Sequence, residues 1–416
     1  MSRSCRWLTG LLALCALTNA GFAQEWTRFR GPNGAGQSDA AGIPTEWTET
    51  DYAWKVALPG IGHSSPVIWG DQVFVTSADQ KSGERYLVCV NANTGDVVWK
   101  KPFAGSTYQH HKQNALASST PAVDEKHIYS AWAGPEEYVV IAHSHAGDEV
   151  WRKDLGPYIS RHGFASSPIV HEGLVIITND QEGSGSSVVA FDAANGKVKW
   201  TTPHKTLSGQ NASYATPIVY EPKSGPEQLI VFSWAHGMQS LDPKSGKSNW
   251  EDAVFPKRPV GSPIIVKDLL IGNCGDGGGD NTVVALDIPA RKNAKPKVEY
   301  TLGKSTAPYV PTLVAAGDLV FLWGDKGIVT CIDAPSGKQH WRERVGGNYS
   351  GSPIRVQDRI YCMSAEGECV VLAASDKFQV LARNPLGEGS RATPAVADGR
   401  MFLRTESHLL AIGKGK

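Results

Sequence analysis

The sequence predicts an all-β fold: an eight-bladed β-propeller of four-stranded antiparallel blades, its ring closed by the N-terminal strand. Three observations carry that expectation. A Pro motif recurs eight times, a turn delivering a Gly and then a Trp recurs within most repeats, and a lone Trp-bearing strand precedes the first repeat while the last repeat stops before its fourth strand. The 416 residues hold 41 basic and 41 acidic side chains, 44 Gly and 25 Pro, with 41% hydrophobic residues. That balance is too apolar for a disordered chain, too neutral for a polyanion binder and too rich in Gly and Pro for a helical bundle. No nucleic-acid partner is expected.

The chain opens with Arg3 and Arg6, an apolar run from Trp7 to Leu17 and small residues through Ala23. This is the layout of a secretory signal peptide cut after Ala23. Leu14 before Cys15 does not suit a lipoprotein signal, and no later apolar run reaches the ~20 residues that span a bilayer. Residues 1–23 are therefore read as signal, 24–51 as an N-terminal extension and 52–416 as the propeller domain, periplasmic or secreted and monomeric.

The Pro motif appears at Pro66, Pro121, Pro168, Pro217, Pro263, Pro311, Pro353 and Pro394, preceded in most repeats by small residues such as Ser64-Ser65 and Ser119-Thr120. A period in the forties is a propeller signature. Innermost strands crowd the axis, so small residues fit there, and Pro belongs at a strand start or a free edge. Each repeat then supplies a second strand (Gln72 to Thr76 in the first), a third (Tyr86 to Val90) and a fourth ending in Trp.

Between the third and fourth strands lies the most specific pattern. It runs from Asn91 through Gly95 to Trp99, and again from Asp192 to Trp200, Asp242 to Trp250 and Asp333 to Trp341, with Gly147 keeping the same offset to Trp151. Asp or Asn starts the turn, Gly takes the positive φ, and the next strand carries Trp to its neighbour blade. Tyr300 and Leu381 stand near the Trp position in the two degenerate repeats. The strand around Trp54 lies as far before Pro66 as Trp250 and Trp341 lie before their following repeats, so it is expected to complete the blade of Leu410 and hide two sheet edges.

These motifs resemble the eight-bladed quinoprotein-like (PQQ-like) propeller repeat family over about residues 52–416, and the segment Trp26 to Gly34 looks like the start of secreted bacterial members. The resemblance implies one of two classes. Quinoprotein dehydrogenases hold PQQ and calcium over the axis and act on an alcohol or sugar, while propellers exemplified by the outer-membrane assembly scaffold BamB carry no cofactor. No adjacent Cys pair and no inserted catalytic loop is apparent, so no quinone ligand is assigned. The expectation is a noncatalytic scaffold for a protein or small ligand, without cofactor. A PQQ-dependent oxidoreductase with calcium and a carbohydrate-binding module stand as alternatives.

Binding candidates are the residues just upstream of the Pro motifs, whose loops should converge on the funnel: His63, His110, His111, Asn114, Arg161, His162, Arg258, Tyr349 and Arg391. Singly each reads as a solvated rim residue; pooled, the His and Arg suit an anionic or sugar-like ligand. Asp276 and Asp280, in a Gly-rich loop, are weak calcium candidates against the plainer reading of a flexible turn. The Trp residues 54, 99, 151, 200, 250 and 341 are structural docking groups. Cys89, Cys274, Cys331, Cys362 and Cys369 form no C-x-x-C; small buried residues are the expected reading, and a Cys362–Cys369 disulfide is the alternative.

Overall fold

The computed structural model describes residues 25–207, 209, 212–289, 294–303 and 305–415. The expected signal peptide lies outside them. Eight sheets form the ring, seven of four strands and one of five, and in each the four blade strands run antiparallel from the axis outward. In blade 1 these strands are Val67–Trp69, Gln72–Ala78, Arg85–Asn91 and Val97–Phe103. The remaining blades repeat this plan, and among the described residues the helical content is confined to the single turns Pro32–Gly34 and Glu49–Asp51. Among the described residues no helix is long and apolar enough to cross a membrane.

The ring closes as the sequence predicts. The strand Tyr52–Ala57 pairs antiparallel with His408–Ile412, setting Trp54 opposite Ala411 and Lys55 opposite Leu410. Across every third and fourth strand a small or medium residue faces the docking position: Cys89 opposite Trp99, Ala190 opposite Trp200, Ser240 opposite Trp250 and Cys331 opposite Trp341. The indole then reaches the next blade. Trp54 donates to Ala92 O at 3.0 Å, Trp99 to His145 O at 3.0 Å, Trp151 to Ala193 O at 2.9 Å, Trp200 to Pro243 O at 3.1 Å and Trp341 to Ser375 O at 3.0 Å. Each ring lies on its neighbour's turn, and a Cβ added to Gly95 would stand 2.7 Å from Trp54 Cγ. Gly is thus fixed there by close approach as well as by a φ of 79°.

Two blades depart from the pattern. Trp250 meets no regular turn in blade 5; its indole donates to Gln228 Oε1 at 2.8 Å, and Gln228 passes the link to Pro289 O at 2.9 Å. In blade 7 the docking position is Ala382, opposite Val371, one residue past the expected Leu381. The missing indole comes from the N-terminal segment. Trp47 packs on Tyr361 at 6.4 Å between ring centroids, much as Trp99 packs on Phe74 and Trp341 on Phe321, each at 5.9 Å. Its backbone N–H bonds Asn384 Oδ1 at 2.9 Å.

Residues 25–38 cross the axis at the level of the innermost strands. Trp26 bridges to Ile68 in blade 1, Thr27 O accepts from Val123 N–H in blade 2, Asn33 Oδ1 accepts from Val219 N–H in blade 4 and Gly36 O accepts from Arg355 N–H in blade 7. Gln37–Ser38 adds a parallel strand there. Two fully buried guanidiniums nail the segment down. Arg28 donates to Pro217 O, and Arg30 donates to Leu313 O at 2.7 Å and Pro353 O at 2.8 Å. Burial pulls both down to about 9, because a charge among carbonyl dipoles has lost its water. The five cysteines among the described residues are buried and free; Cys362 and Cys369 sit on neighbouring strands without bonding.

Candidate functional site

Each Pro motif turns the chain from an outer strand back to the axis, and the residue just before the Pro is a Ser or Thr in seven blades. These are Ser65, Thr120, Ser167, Thr216, Ser262, Ser352 and Thr393. Blade 6 keeps the hydroxyl but not the Pro. Its innermost strand begins at Val314, so Leu313 holds the Pro position and Thr312 completes the set, two residues past the Pro311 motif read from the sequence. The eight side chains form a ring. From Thr216, each backbone N–H donates to the next blade's hydroxyl, through Ser262, Thr312, Ser352, Thr393, Ser65 and Thr120 to Ser167, at 2.9 to 3.0 Å. Free edges of innermost strands, which have no sheet partner, are satisfied this way.

Above the ring opens a cavity of about 700 Å³, lined by all eight hydroxyl residues and by the loops of one face. Phe29 of the crossing segment also lines it, so the channel is blind. The sequence contained Phe29 but no signal for this role, since its partners lie hundreds of residues away.

Of the predicted residues, His63, His111, Asn114, His162, Arg258, Tyr349 and Arg391 line this cavity. His110 and Arg161 turn elsewhere: His110 Nδ1 bonds Tyr108 O at 2.9 Å, and Arg161 reaches outward to Glu182 at 3.1 Å. Asn114 is a strut, donating to His162 O at 2.7 Å and accepting from Ala115 N–H at 2.8 Å. Asp276 lines the cavity and is ion-paired with Lys257 at 2.6 Å, while the exposed Asp280 stays outside it.

Arg258 is the best-built group. It is 7% exposed, its Nε donates to Tyr309 Oη at 2.7 Å and its Nη1 to His162 Nδ1 at 2.9 Å. Tyr214 and Tyr309 offer their ring faces at 5.9 and 5.6 Å. Among the described residues no carboxylate forms an ion pair with Arg258 or Arg391; Arg391 donates to Ser350 Oγ at 3.1 Å. Burial, helped by Arg404 and Arg391, lowers His63 to about 3. Burial and Arg258 lower His162 to about 4 and push His111 down as well. The imidazoles are therefore neutral at pH 7, and the positive charge near them resides on Arg258, Arg391 and the exposed Lys112.

Acceptors lie close to Arg258 as well. Asp325, which the sequence reading missed, accepts from the backbone N–H groups of Tyr309 at 2.7 Å and Val310 at 3.0 Å. Burial nonetheless raises its pKa. Tyr349 is 2% exposed and packs on Trp323 at 5.3 Å, leaving its hydroxyl without a protein partner; Asn281 Oδ1 is likewise buried and unpartnered. Asp325 and Asn281 come from loops between second and third strands, which vary from blade to blade and give no repeat signal.

A family model described as outer membrane protein assembly factor BamB matches residues 83–288 and 279–412. The chain belongs to this PQQ-like, BamB-type propeller family. BamB of Burkholderia pseudomallei is 22% identical over 389 residues, covering 88% of this chain and 90% of that protein. Tetrathionate hydrolase of Acidithiobacillus ferrooxidans is 22% identical over 242 residues, 56% of this chain, which spans only 44% of that relative. Among solved structures, BamB from Moraxella catarrhalis superposes with a TM-score of 0.61 at 14% identity, over 87% of this chain and 97% of that one. A europium-containing methanol dehydrogenase does so with 0.66 at 12% identity, over 92% and 90%. At such identities the structures share the fold.

The dehydrogenase side of this fold family implies a quinone and a calcium ion. Calcium takes roughly six to eight oxygens, several from carboxylates. The cavity's two carboxylates are spoken for, Asp276 by Lys257 and Asp325 by backbone N–H groups, and no cysteine lines it. This donor set does not fit calcium beneath a quinone. Among the described residues the one three-ligand cluster, His171, Glu172 and Glu227, lies outside the cavity lining.

Proposed function

We propose that this chain is a noncatalytic, exported binding propeller that captures a small ligand in its blind axial funnel. The observation that carries the reading is Arg258, a nearly buried guanidinium without a carboxylate partner, facing a roomy cavity. A protein interior does not leave a cation uncompensated unless a ligand or solvent completes it. The imidazoles support binding over catalysis, because His162 Nδ1 is occupied by Arg258 and His111 Nδ1 accepts from Gln113 N–H at 3.3 Å. Neither abuts a nucleophile. Kinship with an outer membrane assembly factor along nearly the whole chain supports a periplasmic or outer-membrane-associated location.

Native mass spectrometry of protein isolated from its source tests this. A retained small molecule that Arg258→Gln releases is expected, and a bare chain, or a companion protein with an empty funnel, would overturn it. Dye-linked dehydrogenase activity after incubation with PQQ and calcium would overturn the noncatalytic part.

A further inference from the structure

Resting on the reading of the funnel as a ligand site, we infer the ligand's class: a sugar-sized hydroxy acid, with a carboxylate at one end and several hydroxyls at the other. Two features of the cavity each demand part of that molecule. The first is the pair of unmatched guanidiniums. Among the described residues Arg258 and Arg391 have no acidic partner and are the less exposed of the cavity's cations, Lys112, Lys326 and Arg342 being exposed, and the neutral imidazoles of His63 and His162 add donors and acceptors without adding charge. A carboxylate there gains charge-assisted hydrogen bonds in a partly desolvated site.

The second feature is the hydroxyl ring. Seven of its oxygens already accept a backbone N–H, so each has its own O–H left to donate, and each lines the cavity. A ring rich in donors matches a ligand rich in oxygens. A polyhydroxylated acid uses both features at once: its acid end settles on the guanidiniums while its hydroxyl oxygens accept from the ring. The volume of about 700 Å³ admits one or two sugar rings.

The test is isothermal titration calorimetry of the full chain with three probes: D-glucuronate, D-glucose and succinate. D-glucuronate is expected to bind saturably, with glucose and succinate each weaker by about tenfold or more, since each lacks one half of the contacts. Arg258→Gln should weaken glucuronate about tenfold. Should Arg258→Gln fold poorly by its melt, Arg391→Gln replaces it, since among the described residues that guanidinium holds Ser350 Oγ alone. Succinate binding as well as glucuronate would overturn the need for hydroxyls, glucose binding as well would overturn the need for charge, and no saturable heat with glucuronate would overturn the inference outright. The wider reading fails separately. A retained molecule of other chemistry, released by Arg258→Gln in native mass spectrometry, would sink the acid-sugar assignment and leave the funnel as the binding site.

Discussion

Trp54 is the seam of the ring, and replacing it with Ala gives the sharpest test of the closure. The indole is 8% exposed, donates to Ala92 O at 3.0 Å, packs on Phe402 at 5.9 Å and covers Gly95 of blade 1. Burying an indole removes about 150–250 Å² from water, or ~4–6 kcal/mol at 25 cal/mol/Å² as an upper bound. Measured Trp→Ala losses of about 3–5 kcal/mol agree, so ~4 kcal/mol is expected. For about 390 folded residues the unfolding entropy is roughly 0.8 kcal/mol/K, which turns that loss into a fall of ~5 °C in Tm if the ring melts as one unit. Differential scanning calorimetry of Trp54→Ala beside Trp200→Ala is the assay, because Trp200 makes the same contact in mid-ring, donating to Pro243 O at 3.1 Å. The seam variant should also form dimers at high concentration, since only noncovalent contacts hold that junction and a loosened edge invites another chain. A Tm within about 1 °C of the parent, with monomeric elution, would refute the closure reasoning.

The remaining predictions concern the crossing segment, pH and the thiols. Arg30→Lys should destabilise by about 3 kcal/mol in a urea titration, because an ammonium cannot fork to Leu313 O and Pro353 O together; an unchanged midpoint would show that the guanidinium does not hold the floor. His143 is 1% exposed against Phe103, with its Nδ1 unpartnered, and burial lowers it from 6.5 to about 4. Its folded value is depressed, so its contribution is complete above pH 6.5 and is lost as the pH falls toward 4. His143→Leu should therefore flatten the Tm–pH curve across that window, and an unaltered slope would contradict the assignment. Glu388 behaves likewise at lower pH. Burial alone would raise it, yet hydrogen bonds from Ser407 and Thr405 outweigh that and hold it at about 2, so Glu388→Gln should reduce the stability lost between pH 4.5 and 2. Cys89, Cys274, Cys331, Cys362 and Cys369 should resist a thiol reagent in the native protein and react on denaturation; a missing pair in the denatured count would reveal a Cys362–Cys369 bond.

What was legible in the sequence was whatever the fold repeats. A Gly four residues before a Trp recurs because each blade docks on the next in the same way, and that local offset reports a contact between blades without any knowledge of the coordinates. The small residue opposite each Trp, Cys89 and Cys331 included, follows from the same contact. The closing strand was legible too, since Trp54 stands before Pro66 at the spacing the other repeats use. The histidines and arginines upstream of the Pro motifs were recognisable as funnel candidates because every such loop must turn toward the axis.

Tertiary structure alone decided what happens once per molecule. Arg28, Arg30 and Phe29 show no periodicity; they matter because the extension crosses the axis and meets carbonyls 189 to 323 residues away. Trp47 reads as an ordinary extension residue until it fills the place Ala382 leaves in blade 7. The ring hydroxyl of blade 6 was hidden because Pro311 supplied a false register, and only the inter-blade bonds around Thr312 restore it. His110 and Arg161 were misplaced for the converse reason: proximity in sequence to a converging loop does not fix the direction of a side chain, which is set by neighbours such as Tyr108 and Glu182. Periodic contacts leave a periodic trace in the chain, whereas a contact made once between distant segments leaves none, and the floor and the acceptors of this funnel are built from contacts of the second kind.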